Sequence, residues 1–367
     1  MIKKLKYISF FLLPFIASCE DKDVTEGADI SVTSEDVVSS IVITRAGEEP
    51  KEDPDIYFKE GESCVLISQQ YTSAGTTIDF SETSRNRYKY IYNGNKDADW
   101  DMGFNFTSEE PISWEKVFLN GQFGSGFAFG ALFFPRDYKY SEEIDADQRD
   151  PEALYASDIL GAWHKTSEIN DRLRFRMWHL MCKMQVDLYI PVFDEETATG
   201  YDLDNVIASA INFRTSYNVG WPDRNTDIEP ILTATDQTIQ DIYLYQYPEV
   251  EEIEDLEMND FQNNGTDHVR KYSFEMLFPY QTVDGDILRF TLQRGDISYN
   301  YVFNSNKHIT DNSVLRFEQG KINQLELYLN RSDNEIVFIR AYIRDWNDAR
   351  ANLTLTEENP EGEQYLK

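Results

Sequence analysis

Basic residues are scarce in this sequence. The chain of 367 residues carries 34 Lys and Arg against 66 Asp and Glu, which gives a formal net charge of −32. Nucleic-acid binding depends on a positively charged surface that meets the phosphate backbone. The shortage of cations therefore excludes nucleic acid as an expected partner.

Residues that commonly carry catalysis are also few. The four histidines are His164, His179, His268 and His308, and no two of them lie at a metal-ligand spacing. The motifs G-x-S-x-G, P-loop and C-x-x-C do not occur. Residues 93–101 (NGNKDADWD) lack the glycine and the final glutamate of a calcium loop. We therefore expect no catalytic residue, no metal site and no cofactor, and an enzyme with a paired-carboxylate cleft stays a third alternative.

Cysteine occurs three times, at Cys19, Cys64 and Cys182, which is too few for a disulfide framework. Cys64 and Cys182 are interpreted as buried thiols in preference to a bridge between them. Cys19 has a different setting, at the end of an apolar run near the N-terminus.

That run, residues 8–16, is shorter than the roughly 20 residues of a membrane span. It follows three lysines and leads into Ile-Ala-Ser-Cys at residues 16–19. This order is the lipobox pattern, and it predicts cleavage before Cys19 and acylation of that cysteine, for example with palmitate. Residues 1–18 are thus expected to be a lipoprotein signal peptide, with an ordinary signal or membrane anchor as the alternative.

Long helical periodicity is missing as well. Beyond residue 54 the apolar residues alternate with a period of two, which predicts an all-β fold. The apolar residues at 337, 339, 341 and 343 share one predicted face, and residues 287–292 and 297–303 form a predicted hairpin across a Gln-Arg-Gly-Asp turn. Short helices are expected at 151–163 and 202–211.

The alternation changes phase once within residues 173–190. Odd-numbered positions are the apolar face up to Met181, and even-numbered positions are the apolar face from Cys182 onward. An extra residue in a strand has this effect, so we predict a β-bulge near Met181 and Cys182, with His179 on the inward face.

The chain is longer than one hydrophobic core usually serves, so two domains are expected. Residues 19–54 are a polar, acidic tether that contains the acylated cysteine and one strand-like segment, residues 37–44 (VVSSIVIT). The predicted domains are residues 55–168 and 169–356, followed by a polar tail at 357–367. The acidic stretch 248–267 is interpreted as a solvated loop insertion.

Two sets of tyrosines raise the question of sugar binding. Spacing by two places each set on one strand face, where the rings either stack on sugars or simply line a half-buried face. The sets are Tyr88, Tyr90 and Tyr92 with Trp100, and Tyr243, Tyr245 and Tyr247.

The order of several short motifs resembles the fimbrillin family, the lipoprotein precursors of type V pili in gut and oral Bacteroidales-type bacteria. Two departures are Glu62, where the family has Asp, and a wider spacing between Phe175 and His179. The matching segments are Thr44-Arg45-Ala46, residues 58–62 (FKEGE), 112–114 (ISW), 132–135 (LFFP), 157–160 (SDIL), 175–186, 317–329 (FEQGKINQLELYL) and 343–346 (IRDW).

The resemblance implies a fold and a mode of assembly. The fold is two tandem transthyretin-like β-sandwiches. In assembly, a trypsin-like protease cuts between Arg45 and Ala46, and a terminal strand of another subunit replaces the strand thereby released. The exchanged strand would contain Val37, Ile41 and Ile43. The donor strand would contain Ala351, Leu353 and Leu355.

Two alternatives remain open at this point: Arg45 is an uncut linker residue, and residues 349–356 close their own domain. The expected function is a non-enzymatic, surface-exposed outer-membrane lipoprotein that acts as a pilus subunit with a role in adhesion. Its expected partners are other pilus subunits, the membrane lipid through Cys19, and a host or bacterial surface ligand. A glycan-binding surface lipoprotein is the alternative function.

Overall fold

The structure is a computed structural model. It describes residues 35–45, 58–71, 86–96, 103–115, 126–135, 143–166, 168–193, 200–220, 230–257, 266–308, 315–330 and 335–346. Most of these residues lie in β-strands, and two short helices accompany them. The all-β prediction is therefore confirmed.

Seven strands form the first sheet. They are β1 (Val37–Arg45), β2 (Ser63–Tyr71), β3 (Asn86–Lys96), β4 (Phe104–Ser113), β5 (Gly126–Phe134), β6 (Leu160–Thr166) and β7 (Arg172–His179). Their order is β1-β4-β3-β2-β5-β6-β7, and β1 also pairs with β7, so the sheet closes into a barrel. A sandwich of two sheets would leave edges on both sheets. Here β1 joins β4 to β7, so the first sheet has no free edge. The N-terminal sheet is therefore a closed barrel, whereas a sandwich was expected.

Aromatic side chains fill this barrel. The ring of Phe58 lies edge-on to two other buried rings, with centroid distances of 4.8 Å to Phe133 and 5.4 Å to Phe106. Trp114 is fully buried and packs edge-on against Phe129 at 5.5 Å. Edge-to-face pairs add attraction beyond the burial of their area. Phe58 and Trp114, from two of the short sequence motifs, are thus core residues of the barrel.

The remaining strands form a second body. They are β8 (Cys182–Pro191), β9 (Asn205–Arg214), β10 (Tyr217–Gly220), β11 (Ile231–Ala234), β12 (Ile239–Tyr243), β13 (Tyr245–Gln246), β14 (Glu251–Glu257), β15 (Thr266–Phe278), β16 (Gln281–Val283), β17 (Asp286–Arg294), β18 (Ile297–Asn304), β19 (Leu315–Phe317), β20 (Lys321–Leu329) and β21 (Ile336–Asp345). The major sheet has the order β13-β15-β8-β20-β21, with β14 on β15, and the minor sheet has the order β12-β9-β17-β18.

The buried faces of the major and minor sheets share one core. Met184, Val186 and Leu188 of β8 enter it from the major sheet. Phe274 of the major sheet and Phe290 of the minor sheet meet with ring centroids 6.1 Å apart. Side chains that alternate inward and outward along each strand produce the period of two seen in the sequence.

Several local predictions can be compared with these elements. The predicted hairpin is β17 and β18, with Gly295 in the turn at a φ of 55°. Helix α1 (Pro151–Ala156) lies inside the first predicted helix, and Asp150 caps it by accepting from the Glu152 amide at 2.9 Å. The second predicted helix, at 202–211, is wrong because residues 205–211 belong to strand β9. A second short helix, α2 (Ser305–His308), follows β18.

The phase change in the sequence marks the passage between the two bodies. β7 pairs with β1 and β6 in the barrel, whereas β8 pairs with β15 and β20 in the major sheet. Leu180 and Met181 lie between the strands, and the apolar face changes because β8 faces a different core. The predicted bulge is therefore a break between two strands. The change of sheet comes one strand after the boundary expected at 168/169.

The acidic stretch at 248–267, expected to be a loop, contains strand residues in its described part. Residues 251–257 form β14, which pairs antiparallel with β15. Ile253 and Leu256 pack against a small apolar cluster on the outer face of the major sheet that contains Tyr189 and Tyr328. The acidic side chains are compatible with a strand because β14 lies at the surface.

Candidate functional site: strand β1 and its neighbours

β1 occupies the position that closes the barrel. It pairs antiparallel with β4, where Ile41 lies opposite Phe106, and parallel with β7, where Ile41 lies opposite Leu173. Arg45 is its last residue and lies opposite Met177 of β7. β1 therefore satisfies hydrogen-bonding groups of both β4 and β7 along most of its length. We call the position between β4 and β7 the seam.

Three side chains of β1 enter the barrel core. Val38, Ile41 and Ile43 are fully buried there, and Val42 is fully buried on the other side of the strand. Val37 is partly buried. A register shift between Val38 and Ser40 moves the alternation by one residue, so Val38 takes the inward place that strict alternation would give to an odd-numbered residue.

The hydroxyl group of Tyr90 stabilises this register shift. Tyr90 is fully buried, and its hydroxyl donates to the carbonyl of Val38 at 2.7 Å and accepts from the amide of Ile112 at 3.3 Å. Burial raises the pKa of this hydroxyl, so it remains a donor at any physiological pH. One side chain of β3 thus pairs a carbonyl of β1 with an amide of β4.

The beginning of β1 is held by further hydrogen bonds. At the beginning, the amide and hydroxyl of Ser39 donate to the carbonyl of Asp171 at 2.7 and 3.0 Å, and the amide of Trp114 donates to the carbonyl of Asp36 at 2.9 Å. The indole of Trp114 donates to the carbonyl of Asn170 at 2.9 Å. The Ser39 bonds tie the start of the strand to the 168–171 segment that precedes β7, and Trp114 bonds both to that segment and to Asp36 just before the strand.

The other sequence-predicted residues of the exchange lie outside the described residues. These are Cys19, Ala46, and the donor residues Ala351, Leu353 and Leu355. Within the described part, Val37, Ile41, Ile43 and Arg45 all lie on β1. Their common location is what makes β1 the candidate site.

The Glu62 departure from the family motif has a structural account. Its carboxylate is buried and accepts from the amide of Lys59 at 2.8 Å and from the hydroxyl of Tyr155 at 3.0 Å. It therefore closes the turn before β2 and connects that turn to α1. Gly61 lies in the same turn with a φ of 92°, a conformation that favours glycine.

His179 and Trp346, which also belong to the short motifs, meet where the two bodies join. Their rings stack with centroids 3.6 Å apart and planes 13° apart. Nδ1 of His179 lies 2.8 Å from Oδ1 of Asp158, and Nζ of Lys183 lies 4.2 Å from the Trp346 ring. Trp346, the last described residue, thus packs against the end of β7, and the two motifs that contain His179 and Trp346 lie at the junction.

The predicted aromatic sets have different locations. Tyr90 and Tyr92 are buried in the barrel core and Tyr88 packs against it, so this set offers no sugar-stacking face, and Trp100 lies outside the described residues. In the second set, Tyr243 ends β12 in the minor sheet. Tyr245 and Tyr247 accompany the major sheet, with ring centroids 5.2 Å apart.

A concave surface that the sequence did not predict as a whole lies on the outer face of the major sheet, and Tyr247 of the second aromatic set is one of its lining residues. It encloses about 500 Å³, and we call it the polar cleft. Its residues come from four separate segments of the chain, and no local motif connects them. The lining residues are Gln185, Asp187, Tyr247, Glu249, Glu251, Lys271, Ser273, Phe274 and Gln324.

The two cysteines of the described part are free and buried, as predicted. Cys64 lies in the barrel core and Cys182 in the core of the second body. Burial raises the pKa of both thiols. Among the described residues, no group of three or more His, Cys, Asp or Glu side chains is arranged to hold a metal ion. In the same residues, no helix has the length and apolarity needed to cross a membrane.

No family model and no curated protein matches the sequence. Similar solved structures include a candidate cell adhesion protein from Bacteroides uniformis, with 14% identity and a TM-score of 0.46 over 84% of this chain and 97% of that chain. A candidate cell adhesion protein from Bacteroides ovatus has 10% identity and a TM-score of 0.48 over 86% of this chain and 98% of that chain. The C-terminally truncated tip fimbrial protein Mfa3 from Porphyromonas gingivalis has 9% identity and a TM-score of 0.36 over 84% of this chain and 99% of that chain. These three neighbours are adhesion and fimbrial proteins of Bacteroides and Porphyromonas. With TM-scores below 0.5, they assign no function to this chain.

Proposed function

We propose that this chain is a non-enzymatic surface lipoprotein that serves as a structural or accessory subunit of a type V-like pilus and assembles by strand exchange at the seam. The observation that carries the proposal is that, among the strands that the structure describes, β1 alone connects β4 to β7, and that it ends at Arg45. A cut at the Arg45–Ala46 bond would therefore separate a complete strand from the rest of the barrel.

The seam has the two features that strand addition needs. The edges of β4 and β7 provide main-chain hydrogen bonds, and the places of Ile41 and Ile43 are apolar pockets two residues apart. Residues 349–356 (ARANLTLT) alternate apolar and polar residues in the same way. Leu353 and Leu355 of another copy are suited to these two pockets, and this segment acts as the donor strand.

The proposal also covers location and division of the chain. Acylated Cys19 anchors the precursor in the outer membrane, and cleavage after Arg45 releases the remainder together with its two bodies, which we divide at Leu180 and Met181. A subunit that is cut extends a pilus. A subunit that keeps its lipid anchors one.

Mass spectrometry of a purified pilus fraction tests this proposal. The expected result is a high-mass polymer whose subunits begin at Ala46. The Arg45→Ala variant should accumulate as an acylated, unpolymerised precursor, whereas the control Lys51→Ala, at the next basic residue, should polymerise normally. Wild-type protein that is found only uncut and outside any polymer would refute the role of an extending subunit.

A further inference from the structure

The polar cleft combines a rigid floor with an aromatic wall. Its floor is formed by outward-facing side chains of adjacent strands: Gln185 and Asp187 from β8, Ser273 from β15 and Gln324 from β20. Tyr247, between β13 and β14, forms the wall. A volume of about 500 Å³ lies within the range of roughly 300 to 1,000 Å³ that small-molecule sites occupy.

Mutual hydrogen bonds fix the floor. Asp187 accepts from the Ser273 hydroxyl at 2.6 Å and from Nε2 of Gln324 at 2.9 Å. Nη2 of Arg344 donates to the amide oxygens of Gln185 and Gln324 at 2.9 and 3.2 Å. Side chains held in this way lose little conformational entropy when a ligand binds. The floor therefore presents planar amide and carboxylate groups in fixed orientations.

The orientation of Tyr247 is fixed too. Its hydroxyl donates to Oε2 of Glu275 at 2.7 Å, while 37% of the residue remains exposed. The same carboxylate accepts from Nε2 of Gln185 at 2.9 Å and lies 2.9 Å from Nζ of Lys183. The ring is thus anchored at its polar end, with Tyr245 packed against it, while more than a third of the residue stays exposed beside the cleft.

The chemistry of the lining restricts the ligand. Eight of its nine lining residues are polar, charged or tyrosine, so a ligand must offer hydrogen-bonding groups to satisfy those it covers. Three carboxylates, Asp187, Glu249 and Glu251, outnumber the two nearby cations, the Lys271 ammonium and the Arg344 guanidinium bonded to the floor, and the chain as a whole carries −32. This charge repels phosphate, sulfate and sialic acid. A suitable ligand carries many hydroxyl groups, no negative charge and a flat C–H surface for the tyrosine ring.

We infer that the polar cleft binds a neutral oligosaccharide, with one sugar ring stacked on Tyr247 and its hydroxyl groups bonded to the amide and carboxylate groups of the floor. The site lies on the outer face of the major sheet, apart from β1. It is therefore a binding function in addition to strand exchange.

A glycan array that carries neutral, sialylated and sulfated oligosaccharides, probed with the full-length chain, tests the inference, followed by calorimetry with the best neutral binder. We expect saturable binding of neutral members that persists in 1 M NaCl, because no charge pair holds the ligand. Tyr247→Ala should weaken binding about tenfold or more. The matched control is Tyr243→Ala, since Tyr243 is similarly exposed (40%) but lies under Arg149 in the minor sheet.

Loss of binding by Tyr247→Ala could also result from misfolding of that variant, so a second substitution in the cleft is needed. Glu249 is exposed at the rim, and Glu249→Ala should weaken binding about tenfold through the loss of one charge-assisted hydrogen bond. Three results would overturn the inference: no neutral oligosaccharide bound, equal loss in the two tyrosine variants, or salt-sensitive binding of polylysine in place of sugars. Pilus assembly by Tyr247→Ala should remain normal, so the two functions can fail separately.

Discussion

Once the chain is cut after Arg45, β1 is held in the barrel by non-covalent contacts alone, and its retention becomes measurable. Ile41→Ala is the most informative perturbation. Ile41 is fully buried in the barrel core and lies opposite residues of both neighbouring strands, Phe106 and Leu173. We expect the substitution to accelerate the release of β1 from the cut chain.

The size of the effect follows from burial. Each of Val38, Ile41 and Ile43 contributes about 1.5 to 3 kcal/mol when fully buried, or about 5 to 9 kcal/mol for the three together. Replacing a buried isoleucine by alanine costs about 2 to 5 kcal/mol, because a cavity remains. At about 1.4 kcal/mol per factor of ten, the lower value corresponds to roughly 30-fold weaker retention.

The assay uses protein cut with trypsin under native conditions and immobilised through residues beyond β21. A fluorescent label on the N-terminal fragment reports its dissociation while a peptide of residues 349–356 is supplied in excess. The matched control is Leu66→Ala on β2. Leu66 is equally buried in the same core, but β2 pairs with β3 and β5 and does not touch the seam.

The two variants should separate stability from retention. Leu66→Ala is expected to lower the melting temperature of the barrel and to change the dissociation of β1 by only a few-fold. Ile41→Ala should accelerate dissociation by at least about 30-fold. Equal acceleration by both variants would mean that β1 leaves through general unfolding of the barrel, and the assignment of the seam as an exchange site would then be wrong.

Three further outcomes are expected. Tyr90→Phe should lower the free energy of unfolding by about 1 to 3 kcal/mol in denaturant titrations, because it leaves a buried carbonyl and amide without their shared hydroxyl. Gln148→Ala should cost about 2 to 4 kcal/mol in the same measurement, since the Gln148 amide bonds both backbone groups of Leu277 at 2.8 and 2.9 Å. Burial alone would raise the pKa of Glu275, but Lys183 and neighbouring donors hold it below its ordinary value. The ionised Glu275 carboxylate therefore stabilises the fold above the unfolded-state pKa of about 4.3, and this contribution disappears as the pH falls through the folded-state pKa. The free energy of unfolding of Glu275→Gln should accordingly fall less than that of the wild type when the pH is lowered from about 6 to about 3.

The all-β class was predictable because alternation along strands is a local property of the sequence. β9 illustrates the limit of propensity, since its sequence NVIASAINFR is compatible with a helix. Val206, Ala208 and Ala210 nevertheless enter the core of the second body at a spacing of two. Packing across the sandwich, which propensity does not include, determines the strand.

At three positions the alternation of inward and outward side chains shifts by one residue, and these shifts limited the prediction of which side chains face a core. They lie between Val38 and Ser40, at Leu180 and Met181, and at Ile339, where β21 bulges against β20. Because of the last, Phe338 and Ala341 face the core while Ile339 packs outside it, so the single face predicted for residues 337 to 343 is wrong. A bulge and a change of sheet have the same local pattern, and only the partner strands distinguish them.

The two candidate sites, β1 and the polar cleft, also differ in how much of each the sequence could predict. β1 was predictable as a strand because it is one apolar segment in a polar tether, and its candidacy for exchange came from the resemblance to fimbrillins. Its parallel pairing with β7 depends on residues 132 positions apart, such as Ser40 and Arg172, and no local signal reports it. For the polar cleft, the sequence offered Tyr247 as one of a set of sugar-stacking tyrosines, but it did not predict the floor, because Gln185, Ser273 and Gln324 come together only when β8, β15 and β20 pair.

Chain polarity adds a constraint on the proposed exchange. β1 runs parallel to β7, and its nine residues span about 30 Å from Val37 to Arg45. Trp346 stacks on His179, just beyond Met177, which lies opposite Arg45. The donor segment starts at Ala349, within about 10 Å of Trp346 along an extended chain. In its own barrel this segment would enter at the Arg45 end and run against the direction of β1. A donor that replaces β1 in the original direction must begin at the Val37 end, which the segment of the same chain cannot reach. The exchange we propose is therefore a reaction between two copies or between different subunits, and it links subunits instead of closing one.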